Sequence, residues 1–277
     1  MEYLNPRNDL AFKRIFGSEE NKNVGLALIN SVLKKQIHRP IKEAIFLARS
    51  QDPETAVQKT SFVDLICKDE DGCVYIIEMQ VAKNEQYKER AQYYAAKAYI
   101  SQSKKGGKYS DLKKVIFLAF TNYCVFPKKE NHKSDHQIRD VVTNEQDFDK
   151  LCFTIVDLVK FDEQNKKPVS ELTLEEKFYY FLRHAQDISG EDLDAITKEP
   201  VMKQAFKALN RHYWTEEEFL KYEAIEKRAW DYRTAEAQAA EDKGRAEGKA
   251  EMLQDLVKKG IITAEKAREL MSEKTSS

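Results

Sequence analysis

The chain has 277 residues, with 46 Lys and Arg against 47 Asp and Glu, so its formal net charge is −1. That balance excludes a uniformly basic nucleic-acid binder and leaves room for a local basic groove. Hydrophobic residues at 42% and aromatics at 10% exclude a wholly disordered chain, and no run approaches the roughly 18 apolar residues of a membrane span.

The opening, Met-Glu-Tyr-Leu-Asn-Pro, has no basic segment leading into an apolar stretch, so no secretory signal is expected and the cytoplasm is the expected location. Leu10, Phe12, Ile15, Phe16, Leu26, Ile29, Val32 and Leu33 recur at helical spacing around an interruption at 17–23, which predicts two helices or one broken helix. Residues 41–48 form a short apolar strand candidate. Two β-rich runs then flank an Asp69-Glu-Asp-Gly72 turn, Thr60–Lys68 before it and Cys73–Val81 after it. This is a strong hairpin signal.

Ala91, Tyr94, Ala95, Ala98 and Tyr99 mark a helix within 85–103, ending before Gly106-Gly107. Val115–Phe120 is wholly apolar and of strand length, the pattern of a strand buried on both faces, and Phe153–Val159 is a further strand candidate. Helix, three strands, helix and strand make an α/β sandwich with a mixed sheet. The cysteines, Cys67, Cys73, Cys124 and Cys152, lie in or beside strand-like runs and form no C-x-x-C pair, as expected of reduced, buried thiols. His132 and His136 have an i,i+4 spacing that a helix would turn into a metal site, but they sit in a polar loop without nearby cysteines.

From Leu172 the pattern turns helical, with Thr173 and Glu176 forming a capping-box pair. Residues 216–259 are rich in Glu, Lys, Ala and Arg, and Gly244 and Gly248 are expected to interrupt them at about 1 kcal/mol each. Leu253, Leu256, Val257, Ile261 and Ile262 form a small apolar cluster, and Thr263 is set to cap a last short helix. The expected division is a domain at 1–160, a helical extension at 161–215 and a charged helical tail at 216–277. The tail is a weakly packed helix, a solvated arm, or a self-association element through which the chain pairs as a homodimer.

Chemistry concentrates on the hairpin. With the turn centred on Asp71-Gly72, Asp64 comes near Glu78 across the strands, and Glu78 and Gln80 share one face. Glu78 follows Tyr75-Ile76-Ile77, and Asp64 lies between Phe62-Val63 and Leu65-Ile66. A carboxylate in such a run is costly unless paired or metal-bound. Two hard oxygen donors favour Mg²⁺, with Mn²⁺ the alternative, and such a site can activate water at a phosphodiester. The plain alternative is a pair of solvated strand carboxylates. On the first helix, Asp9 and Lys13 are spaced as an ordinary i,i+4 charge pair, or Asp9 joins the hairpin as a third carboxylate.

At these residues the sequence resembles the PD-(D/E)XK nuclease superfamily, and within it the Rpn-like group of recombination-promoting nucleases and transposases. The resemblance spans roughly residues 5–126. It runs through Asn8-Asp9, Phe12-Lys13, Phe16-Gly17, Val63-Asp64, Asp71-Gly72, Ile77-Glu78-Met79-Gln80, Arg90, Tyr93-Tyr94 and the Val115–Phe120 strand. It implies a restriction-endonuclease-like α-β-β-β-α-β core, a helical C-terminal extension, and Mg²⁺-dependent hydrolysis of DNA phosphodiesters linked to recombination or mobile elements. By match, Asp64 and Glu78 carry over as metal ligands, and Gln80 stands where the superfamily's usual lysine would be. Lys83 and Arg90 are candidates to replace that charge, and Arg90 and Tyr94 are accessory candidates for contacts to backbone phosphate. The competing reading is a catalytically inactive DNA-binding or protein-interaction module that keeps the fold. A transposase is a weaker third reading, because no separate sequence-reading domain is recognisable.

Overall fold

The structure is a computed structural model that describes residues 2–46, 63–103 and 105–272. Residues 47–48 of the first strand candidate and 60–62 of the second lie outside the described residues. Helix α1 (Asp9–Gly17) begins at Asn8, whose side chain accepts from the Leu10 and Ala11 amides, and it buries Ala11, Phe12, Ile15 and Phe16. Helix α2 (Lys22–Val32) follows, so the interrupted apolar pattern resolves into two helices.

Strands β1 (Ala44–Phe46), β2 (Leu65–Asp69) and β3 (Val74–Gln80) form an antiparallel meander. Gly72 turns the β2–β3 hairpin at φ +83°, a left-handed conformation that suits glycine. Helix α3 (Tyr87–Ile100) then leads to β4 (Val115–Thr121), which lies parallel to β3 and is buried along its whole length. Strand β6 (Leu151–Asp157) extends the sheet parallel to β4, and β5 (Lys133–Gln137) closes it antiparallel to β6. The sheet order is β1-β2-β3-β4-β6-β5. The strand expected at 153–159 therefore starts earlier and stops at Asp157, whose side chain caps helix α4 (Leu158–Gln164).

Alternation along β3 and β4 builds two cores. Tyr75, Ile77, Met79, Leu118 and Phe120 pack with Phe12, Phe16 and Leu28 on one face. Val74, Ile76, Val115, Phe117 and Ala119 meet Tyr87, Ala91, Ala95 and Ala98 of α3 on the other. Helices α5 (Leu174–His184), α6 (Gly190–Ile196) and α7 (Pro200–Leu209) follow. Phe178, Phe181, Leu182, Ile196, Met202 and Phe206 from these helices join the first core. The Thr173–Glu176 capping box forms as expected.

Helix α8 (Glu216–Lys258) runs straight through Gly244 and Gly248, so the expected interruptions do not occur. Over so long a helix, cooperative propagation outweighs two local propensity losses. Helix α9 (Ala264–Ser272) ends the described chain, with the Lys266 amide donating to Thr263 Oγ1 at 3.2 Å. The chain divides into two compact units, Met1–Glu223 and Ala224–Ser277. All four cysteines are free. No helix among the described residues is long and apolar enough to cross a membrane.

Candidate active site

The hairpin register pairs Leu65 with Ile77. One step further, Asp64 stands opposite Glu78, just before β2 begins. Asp64 Oδ2 accepts from the Met79 amide at 2.7 Å, so the β3 backbone itself holds the first carboxylate beside the second. Glu78 is 1% exposed in a strand that is otherwise apolar as far as Gln80. Its Oε2 accepts from Gln80 Nε2 at 2.7 Å, and Arg90 Nη2 lies 4.0 Å from the same oxygen. Glu78 Oε1 is buried without a hydrogen-bond partner among the described residues.

Helix α1 brings a third carboxylate. The Asp9 carboxylate lies near enough for its charge to act on Asp64, and Lys13 forms an ion pair with Asp9. Burial chiefly pushes Asp64 well above the ordinary carboxylate range, and the negative charge of Asp9 adds to it; the Met79 amide and the Lys13 charge pull the other way. Burial and then the Asp64 charge raise Glu78 in the same sense, opposed by Arg90, the Asp64 backbone amide and the Gln80 side chain. Asp64 as a whole residue is half-buried.

Arg90 and Tyr94 share a face of α3, with the guanidinium carbon 5.7 Å from the Tyr94 ring centroid. Tyr94 is half-buried against the second core and lies 6.0 Å from the Tyr93 ring, centroid to centroid. Lys83 is exposed beyond the end of β3. Asp64, Glu78, Gln80, Asp9 and Arg90 therefore converge, while Tyr94 borders the group through Arg90.

The sequence reading missed Tyr87, whose buried hydroxyl, like Arg90 Nε, has no hydrogen-bond partner among the described residues. The Glu78 charge acts on that hydroxyl, and the Tyr87 ring meets Tyr123 edge-on at 6.4 Å. The signal that could have found it is its place one helical turn before Arg90.

His132 and His136 do not share a helix. His136 lies in β5 and His132 just before it, so the backbone is extended and residues four apart are about 13 Å apart. His132 Nδ1 meets Gln164 Oε1 at 3.0 Å, and His136 Nε2 meets Ser134 Oγ at 3.0 Å. Among the described residues no group of three or more His, Cys, Asp or Glu side chains is placed to hold a metal ion. The carboxylate pair remains as the hard donor set. Its partnerless Glu78 Oε1 fits a divalent cation whose other positions are filled by water.

A family model described as "PD-(D/E)XK nuclease family transposase" matches residues 6–239. No curated protein and no solved structure matches the chain.

Proposed function

Since the chain belongs to the PD-(D/E)XK nuclease family transposases, we propose that it is a Mg²⁺-dependent DNA endonuclease, with Mn²⁺ able to serve, acting in recombination or the movement of DNA elements. The observation that carries this reading is the Asp64–Glu78 pair, held together by the Met79 amide, with Glu78 Oε1 buried and without a hydrogen-bond partner among the described residues. Asp64 and Glu78 are the metal ligands, with Asp9 as an accessory third carboxylate. When bound, the cation offsets charge on the attacked phosphate and makes its water more acidic.

The protein side of the work follows from the contacts. The Met79 amide fixes Asp64, and Gln80 orients Glu78 through its amide nitrogen, which leaves the amide oxygen to accept from the attacking water. Arg90, backed by Tyr94, takes a backbone phosphate of the duplex. The distal tail associates with a second copy, so that two sites can face the two strands of one duplex.

Gln80 favours a second reading, an inactive DNA-binding module, because glutamine supplies no positive charge. Plasmid nicking decides between them. Wild-type protein with Mg²⁺ or Mn²⁺ should nick supercoiled DNA, and Asp64→Ala and Glu78→Ala should abolish it. Equal nicking by all three proteins would reject the assignment. An inactive module would bind DNA equally in EDTA and Mg²⁺, with no metal-induced rise in melting temperature.

A further inference from the structure

We propose that Lys13 of α1 supplies, at the attacked phosphate, the positive charge that Gln80 cannot, which makes it a catalytic residue of the nuclease reading on which this inference rests. Helix α1 packs directly on β2. Gly17 approaches Leu65 so closely that a Cβ there would stand 2.2 Å from Leu65 Cδ2. Leu65 is the residue after Asp64. Lys13 and Asp9 lie one and two turns back from Gly17 on the same helix. The electrostatics agree with that placement: Lys13 pairs with Asp9, and the charges of both act on Asp64.

The Lys13 side chain is 22% exposed. An ammonium there is shielded enough for its charge to count and open enough to meet a phosphate. The other nearby cations are placed differently. Arg90 lies against Glu78 and over Tyr94, on the α3 side of the pair. Lys83 is exposed beyond β3. Gln80 spends its amide nitrogen on Glu78.

Hydrolysis joins the water oxygen to phosphorus and breaks one P–O ester bond. The water proton passes to solvent, and the departing oxygen takes up another. Between these states negative charge grows on the non-bridging oxygens. Lys13 exchanges Asp9 for one of those oxygens as a charge-assisted donor and undergoes no net proton change. A compact charge on a flexible stem suits that exchange better than a guanidinium already fixed by two partners.

The test uses the full chain with supercoiled plasmid and Mn²⁺, comparing wild type, Lys13→Gln and Lys13→Arg. Lys13→Gln should slow single-turnover cleavage by about 10²–10³-fold. Its affinity for a duplex oligonucleotide in EDTA, and the Mn²⁺ concentration that half-saturates its melting-temperature shift, should stay close to wild type. Lys13→Arg keeps the charge and the Asp9 pair and should recover part of the rate. A merely structural ion pair would instead lower metal-free melting temperature, with cleavage per folded molecule unchanged. That result, or Lys13→Gln cleaving at nearly the wild-type rate, overturns the inference alone. A wild type that does not cleave overturns the nuclease reading and this inference together.

Discussion

Asp64 and Met79 are joined by a 2.7 Å hydrogen bond from the Met79 amide to Asp64 Oδ2, made at the point where the β2–β3 ladder ends. That bond fixes a carboxylate from the approach to β2 beside the buried Glu78 of β3, and the position of one acid thus depends on the backbone that carries the other. Asp64→Asn keeps the shape and an oxygen acceptor while removing the charge. We expect it to remain folded but to lose the melting-temperature rise that Mg²⁺ or Mn²⁺ gives wild type. Thermal unfolding with and without cation checks this, and an undiminished cation shift in Asp64→Asn would reject Asp64 as a ligand.

The pair also sets a pH dependence. Burial raises both Asp64 and Glu78, so the folded state keeps these protons to higher pH than the unfolded chain does. The folded state then binds more protons through that interval, and stability falls as pH rises. In EDTA, stability should be level below the ordinary carboxylate range, about pH 4, and decline from there through neutrality to the raised values. A divalent cation should oppose the decline most at the alkaline end. Denaturant titrations across pH check the sign; for Glu78→Gln the slope should shrink. A metal-free protein that gains stability from these groups across the same interval would contradict the assignment.

The packing of α1 and α2 makes a prediction independent of chemistry. A Cβ on Gly25 would stand 2.2 Å from the Phe16 carbonyl oxygen, a backbone atom that cannot rotate away. At Gly17 the same short distance is to the end of the Leu65 side chain, which can change rotamer. Gly25→Ala should therefore destabilise by about 2–3 kcal/mol and Gly17→Ala by less, about 1–2 kcal/mol. Urea unfolding of both variants checks the order as well as the size.

Much of this site was legible in the sequence because it rests on local rules. The Asp-Gly turn fixes the hairpin register, and the register alone sets Asp64 opposite Glu78. Strand β5 was not legible. Lys-Ser-Asp-His-Gln has neither apolar alternation nor β-branched residues, and it becomes a strand only by pairing with the exposed edge of β6. The continuity of α8 was hidden for a related reason: glycine propensity is local, while helix propagation is not. Tyr87 was not legible because nothing in a single sequence tells where a buried hydroxyl points.

The tail carries the last prediction. The first unit does not end where the globular helices end: Trp214 and Tyr222 belong to its core, with Trp214 Nε1 donating to the Ala208 carbonyl at 2.9 Å. The Tyr222 hydroxyl accepts from the Asn5 amide at 2.9 Å, and Arg14 pairs with Glu218 at 2.7 Å. Truncation after His212 removes all of these, and loss of the buried tryptophan alone costs about 3–5 kcal/mol, so this product should unfold or aggregate. Truncation after Ala240 spares them and removes Leu253, Val257 and Ile261, along with all of α9. Leu253 is 4% exposed, while Ile261 at 64% and Met271 at 48% remain open to a partner. The Ala240 product should therefore keep a cooperative melting transition, and light scattering should give a monomer where the full chain gives a dimer. If both run as monomers, the tail does not join two copies; if the Ala240 product also unfolds, the distal helices are part of what holds the core.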